Sequence, residues 1–258
     1  MKKPRFSKLV FFLTLLFLFM PLFVLVAYSF NSSKTMHWGG LSLVWFKNLF
    51  TNSRLLWRAF WNSILIALTS AATATVIGTL GAIGINWYSF KLKKYVQAVS
   101  LLPLILPEII IGVSMLIFFV GVKLEFGLLR IYIAHTTFNL PFALLILMSR
   151  LDEFDFSIIE AARDLGAKER ETLFRVIIPI AMPGIISAFL IAVTMSLEDF
   201  VITSFVSGPG SSTLPVHIYS MIRTGVSPVV NALSVVLLFG TVGLVFLMRP
   251  FLKYIAHE

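Results

Sequence analysis

The chain has 258 residues, of which 58% are hydrophobic and 13% charged, with a formal net charge of +9 and no cysteine. A soluble domain carries about a quarter charged residues, so lipid must be the main solvent here, and a soluble enzyme is excluded. Without cysteine there are no disulfides, thiolate nucleophiles or thiolate-bound metals, and the four histidines are never three or four residues apart, so no helical metal pair exists.

A membrane-spanning helix needs about 20 apolar residues. On that measure the chain is an all-α membrane protein, a single transmembrane domain over 1–258 with spans near 9–29, 59–86, 95–121, 128–149, 179–206 and 229–248. The first run follows a basic stretch, is long enough to span and is not followed by a small-residue cleavage site, so it reads as a retained helix. Trp45 lies in the loop after it, where the ring either covers an amine by cation–π contact or anchors at the interface. Trp57, Trp61 and Trp87 read as interface anchors. The second run has Ala74, Gly78 and Ala82 at intervals of four, the close-packing chemistry of membrane helices. The third is long, and Glu108 directly follows Pro107, where a kink opens room. The fourth carries a polar patch, His135, Thr136, Thr137 and Asn139, expected to make mostly interhelical hydrogen bonds. In the fifth, Glu198 extends a stripe through Thr194, Ile191, Ser187 and Gly184, while Asp199 lines up with Ser196 and Thr203. Tyr219 lies in the loop before the sixth and shares the ambiguity of Trp45.

Fourteen of the 21 Lys and Arg fall on the side that holds the N-terminus. The positive-inside rule then puts both termini in the cytoplasm. Those bases sit in short loops, which suits anionic membrane lipid rather than nucleic acid.

Glu108, Glu198 and Asp199 lie at membrane depth. A charge at a helix centre costs about 2.5–3.5 kcal/mol on insertion scales, and one Leu returns only a few tenths. These acids therefore face a cavity, a ligand or a partner charge such as Arg130, Arg223 or a neighbouring subunit. Proton coupling by one titrating acid is a further option. A cation site is the favoured reading, because acids attract ammonium groups, a sugar site would need neutral hydrogen-bonding groups and aromatics, and an anion site would need bases.

The loop from Arg150 to Arg175 concentrates charge, with seven acids and five bases. Its period is helical: Phe156, Ile159, Arg163 and Ala167 form one face, and Leu165, Glu169 and Leu173 another. Gly166 can cap the first half and let the chain turn. An interfacial amphipathic helix would favour a basic polar face. This near-neutral one looks more like a docking knob for another protein. Glu160-Ala161-Ala162, three residues, Gly166, nine residues, then Val176-Ile177-Ile178-Pro179 resembles the EAA loop of ABC-importer permeases, with Val176 and Ile178 as conservative departures. The resemblance implies a type I importer (MetI-like) fold, with Glu160, Ala161, Ala162, Gly166, Glu169 and Pro179 coupling the chain to an ATPase. It also implies a homologous second permease, two ATPase subunits that hold ATP and Mg, and a periplasmic or lipid-anchored binding protein in a bacterial inner membrane. The chain has no Gly-x-x-x-x-Gly-Lys-Ser/Thr loop of its own to cradle ATP.

The stretch Ser196 to Pro209, with Leu214 to Met221, Gly225-Val226-Ser227-Pro228 and Phe30-Asn31-Ser32-Ser33, is similar to the spermidine/putrescine branch of that family. That similarity implies a polyamine substrate, with Glu108, Glu198, Asp199, Ser196, Thr203, Trp45 and Tyr219 along its path. The branch usually has Asp at the positions of Glu108 and Glu198. The same architecture with ferric ion or a sugar, and a proton-coupled secondary carrier, stay open at this point.

Overall fold

In lipid a backbone must satisfy its own hydrogen bonds, so apolar runs of this length fold as helices. The structure, a computed structural model, describes residues 5–255 except Met36, Phe126, Phe154, Phe156 and Val226. Phe156 of the loop motif, Val226 and both chain ends thus lie outside the described residues. In chain order the helices are α1 (Arg5–Ser29), α2 (Val44–Thr51), α3 (Arg54–Trp87), α4 (Lys93–Leu101), α5 (Glu108–Gly121), α6 (Leu128–Asp152), α7 (Ser157–Asp164), α8 (Glu169–Thr172), α9 (Ile178–Glu198), α10 (Val201–Val206), α11 (Leu214–Thr224) and α12 (Pro228–Ile255). Among the described residues the only β pairing is an isolated antiparallel bridge between Asn31 and Leu41.

Among the described residues four helices are long and apolar enough to cross a membrane by themselves: Phe6–Ser29, Arg54–Trp87, Leu128–Asp152 and Glu169–Glu198. The third hydrophobic run is instead a broken pair, Lys93–Leu104 and Glu108–Gly121, bent by 105°. Pro107 explains the break. It has no N–H to donate, forces Leu106 away from helical dihedrals, and is itself extended at φ −58, ψ 135. Its carbonyl then opens α5 by accepting from Ile110 and Ile111. The sixth run lies in α12, whose stretch Pro228–Gly243 is apolar.

The fifth run departs from the sequence expectation at both ends. Pro179 does not begin it: one helix runs continuously from Glu169 to Glu198. Leu173–Ile177 form a π-helical turn just before Pro179. A wider turn relieves the clash a proline ring makes with the carbonyl one turn back. At the other end the helix stops at Glu198, Asp199 is extended (φ −62, ψ 121), and α10 restarts at Val201.

The chain divides into two compact units, Met1–Leu55 with Ile218–Glu258, and Leu56–His217. In the first, α12 packs on α1 and α2 and buries Ala232 and Leu233. Asn31 organises the loop after α1. Its side chain accepts from Gly39 N–H at 2.7 Å and donates to the His37 carbonyl at 2.9 Å, and its own carbonyl accepts from the Trp45 indole at 2.6 Å.

The second unit centres on α6, with α9 packed along it and α3 beside it. Small residues allow the approach. A Cβ built on Gly78 of α3 would lie 2.9 Å from the Ala143 Cβ and 3.1 Å from the Leu144 nitrogen. On α9 the buried face is Gly184, Ala188, Ala192 and Ser196. A second cluster joins Ile66, Ile111, Phe119, Ile131, Phe138 and Ile202, so both halves of the fifth run, α9 and α10, pack in this unit.

Candidate functional site

The break in the fifth run is built by the Asp199 carboxylate. Its Oδ1 accepts from Ile202 N–H at 3.2 Å, and its Oδ2 accepts from Thr203 N–H at 2.8 Å and the Thr203 hydroxyl at 2.6 Å. These are donors that the first turn of α10 would otherwise leave orphaned. From α6, His135 Nε2 approaches the Thr203 hydroxyl at 2.8 Å and Asp199 Oδ2 at 3.2 Å, while its Nδ1 meets Ser196 Oγ at 2.6 Å. Ser70 of α3 donates to Ser196 Oγ at 3.4 Å. With His135 accepting at Nδ1 and donating from Nε2, the whole chain runs in one direction, from Ser70 to Ser196 to His135 to Thr203 to Asp199. His135, Ser196, Asp199 and Thr203 are all buried. A buried carboxylate is tolerated only when its lone pairs are taken up, and here they are.

Ser196, Asp199 and Thr203 are therefore brought together, as their spacing suggested. The counter-group for Asp199 is His135, one helix away, rather than an arginine. Arg130 instead donates to the Leu124 carbonyl and lies 5.8 Å from the centre of the Phe119 ring. The signal was present in the sequence: His135 is a titratable base within a span, placed beside hydroxyl residues. The rest of its polar patch behaves differently. Thr136 and Thr137 donate to carbonyls of their own helix, at Tyr132 and Ile133. The Asn139 amide is buried with no hydrogen-bond partner among the described residues.

Glu198 and Glu108 stand apart from this network. Glu198 is the last residue of α9 and Glu108 the first of α5, and both are exposed. Each acid thus sits at a break in a span, where helix ends leave backbone groups free. Glu108 is further favoured by the positive end of the α5 dipole. Trp45 is buried, with its indole N–H held by the Asn31 carbonyl. Tyr219, on α11, is exposed.

The charged loop forms a helical knob. Asp155 Oδ1 accepts from Ser157 N–H at 2.9 Å at the start of α7, which holds that carboxyl below its ordinary pKa. Ile159 is buried, Glu160 and Ala161 are exposed and Ala162 is half-buried. Gly166 ends the helix at φ +84, with Gly166 N–H bonded to the Arg163 carbonyl and Ala167 N–H to that of Ala162. This is the paired cap that a left-handed glycine permits. Leu165 beside it is 90% exposed, a large apolar group held out at the tip of the knob. Glu169 opens α8 and accepts from the Tyr88 hydroxyl at 2.8 Å, tying the knob to the end of α3. Pro179 is exposed on the helix that follows.

The family model described as binding-protein-dependent transport system inner membrane component matches residues 74–256. The chain is 38% identical, over 92% of its length and 93% of the relative's, to the spermidine/putrescine transport system permease protein PotC of Haemophilus influenzae. It is 40% identical, over 89% of its length and 84% of the relative's, to the putrescine transport system permease protein PotI of Escherichia coli K12. Among solved structures it is similar to an inward-facing MetNI methionine ABC transporter, with a TM-score of 0.62, 25% identity and coverage of 79% of this chain and 95% of that one.

Proposed function

The chain belongs to the binding-protein-dependent transport system inner membrane components and has the fold of ABC-importer permeases, and from that premise we propose that it carries polyamines of the spermidine/putrescine class across the bacterial inner membrane. The observation that carries the substrate is the near full-length likeness to relatives named for spermidine and putrescine. The two exposed carboxylates at span breaks, Glu108 and Glu198, support it.

An ammonium 4 Å from a carboxylate gains roughly 4 kcal/mol at an effective dielectric of 20. A polyamine offers several such groups on an apolar chain, so successive carboxylates hold it more tightly than a monoamine. In this account Glu108 and Glu198 contact the substrate. Asp199, Ser196 and Thr203, locked with His135, keep the break open where Glu198 sits. Trp45, through Asn31, shapes the outer loop, and Tyr219 lines the outer approach.

The working complex pairs this chain with a homologous permease and two ATPase subunits, which hold ATP and Mg. A periplasmic or lipid-anchored polyamine-binding protein delivers substrate, and both termini of this chain face the cytoplasm. Closure of the ATPases is transmitted through the knob of Glu160, Ala161, Ala162, Gly166 and Glu169. The unbroken helix through Pro179 carries that motion to the break at Glu198. Uptake of labelled spermidine by the assembled complex tests the reading. Glu108→Gln and Glu198→Gln are expected to cut uptake at least tenfold with normal subunit assembly, since each removes one such ammonium contact. Unchanged uptake in both variants would count against an acid-lined path.

A further inference from the structure

Where the end of α3 meets the cytoplasmic loop, a cavity of about 270 Å³ opens among Trp87, Tyr88, Arg163, Glu169, Arg170 and Leu173. Its charges are unevenly used. Among the described residues the one Lys or Arg within ion-pair distance of a carboxylate is Arg150, beside Glu153, so neither Arg163 nor Arg170 is paired with a carboxylate. Arg170 lies 5.9 Å from the centre of the Phe174 ring, and the Glu169 carboxylate is engaged by the Tyr88 hydroxyl at 2.8 Å. Two guanidiniums against one occupied carboxylate leave the cavity with a net positive charge. Its remaining walls are an indole, a phenol, the aliphatic side chains of Ile83 and Leu173, and Thr172, whose hydroxyl donates to the Lys168 carbonyl.

Position adds a second constraint. Trp87 and Tyr88 stand at the end of a 34-residue apolar helix, beside the charged loop, and such aromatic side chains favour the membrane–water interface. Lys91, Lys93 and Lys94 follow at once, marking the face toward anionic lipid. A soluble anion would use the guanidiniums and gain nothing from the apolar walls. An anionic phospholipid uses both. We propose that this cavity binds the phosphate headgroup of an anionic inner-leaflet phospholipid, with Arg163 and Arg170 on the phosphate and the glycerol end of the lipid against Trp87 and Leu173. Because Arg163 lies on α7 and Trp87 on α3, the bound lipid braces the docking knob against the membrane helix that Tyr88 and Glu169 already connect. The proposal goes beyond the transport reading and does not depend on which substrate is carried.

The test is lipid retention by the purified complex of this chain with its partner subunits, titrated with phosphatidylglycerol or phosphatidylcholine and read by native mass spectrometry. The wild type is expected to keep phosphatidylglycerol in preference to phosphatidylcholine. With about a fivefold contribution per basic residue near the surface, Arg163→Ala with Arg170→Ala should weaken retention roughly thirtyfold while the ATPase subunits stay bound. The single variants Arg163→Gln and Arg170→Gln, each losing about fivefold, keep the reading available if the double variant fails to assemble. Equal retention of phosphatidylglycerol by the variants overturns the proposal. So does displacement of the lipid by an equal concentration of inorganic phosphate, which would make this a site for a soluble anion. Loss of the ATPase subunits in step with the lipid would assign the arginines to protein docking and overturn it as well.

Discussion

Replacing Asp199 separates its part in holding the break from any contact with substrate. In Asp199→Ala the carboxylate is lost from three donors, Ile202 N–H, Thr203 N–H and the Thr203 hydroxyl. Loss of a helix cap costs about 1 kcal/mol. A buried donor left without its acceptor costs about 1–3 kcal/mol, and one such side chain, the Thr203 hydroxyl, is affected. The sum is about 2–4 kcal/mol, a sizeable share of the total stability of an ordinary domain. At roughly 2–4 °C per kcal/mol for a chain of this size, the melting temperature in detergent should fall by about 4–16 °C. Thermal unfolding of the purified chain, followed by intrinsic tryptophan fluorescence, reads this directly. Glu198→Gln in the same assay should melt as the wild type does, because Glu198 is exposed and outside the network. If Asp199→Ala melts normally yet loses uptake, the structural assignment fails and Asp199 belongs to the substrate path.

Other substitutions probe the packing and the knob. Gly78→Leu should destabilise the chain by about 1–3 kcal/mol in the same melting assay, as overpacking does, because its Cβ would lie 2.9 Å from that of Ala143. Gly84→Ala, with nothing within 4 Å of the new Cβ, should be neutral. Gly166→Val places a branched side chain at φ +84, at a cost of about 1–2 kcal/mol or more. It should reduce co-purification of the ATPase subunit, and Gly166→Asn, which tolerates that conformation, should be milder. Full coupled uptake by Gly166→Val would remove the cap from the docking account. The Asp155 carboxyl has a lowered pKa because it accepts from Ser157 N–H. A depressed carboxyl stabilises the folded form at neutral pH and loses that contribution as pH falls through its pKa, below about pH 4. Hydrogen exchange at the Ser157 amide should therefore rise toward its intrinsic rate only in acid, and Asp155→Asn should show no such transition.

The long apolar helices were legible because lipid imposes a length and a polarity that a sequence displays directly. Their breaks were less so, and length alone does not find them. The runs 59–86, 95–121 and 179–206 are all longer than one crossing needs, yet only the first is an unbroken helix. What separates them is chemistry inside the run: Pro107 in one, and Asp199 with an acceptor for each nearby donor in the other. The Asp199 break also depends on His135, 64 residues earlier, and such pairing has no local signature. The Gly166 turn was readable because a left-handed glycine cap is a local event. The π-helical turn ahead of Pro179 was not, since whether a proline starts a helix or is absorbed by a wider turn depends on what packs around it. Within the candidate site, the grouping of Ser196, Asp199 and Thr203 followed from helical spacing. The separate exposure of Glu108 and Glu198 followed from the breaks and became visible only with them.

The central claim is that this permease moves polyamines under the control of its ATPase partners. The most direct measurement is uptake of labelled spermidine into proteoliposomes holding the assembled complex, with ATP supplied on the cytoplasmic face and the binding protein on the other. The account predicts saturable uptake that stops without ATP, is indifferent to uncouplers, and is competed by putrescine but not by ferric ion or sugars. Spermidine uptake by this chain alone that persists without ATP and collapses with an uncoupler would contradict it.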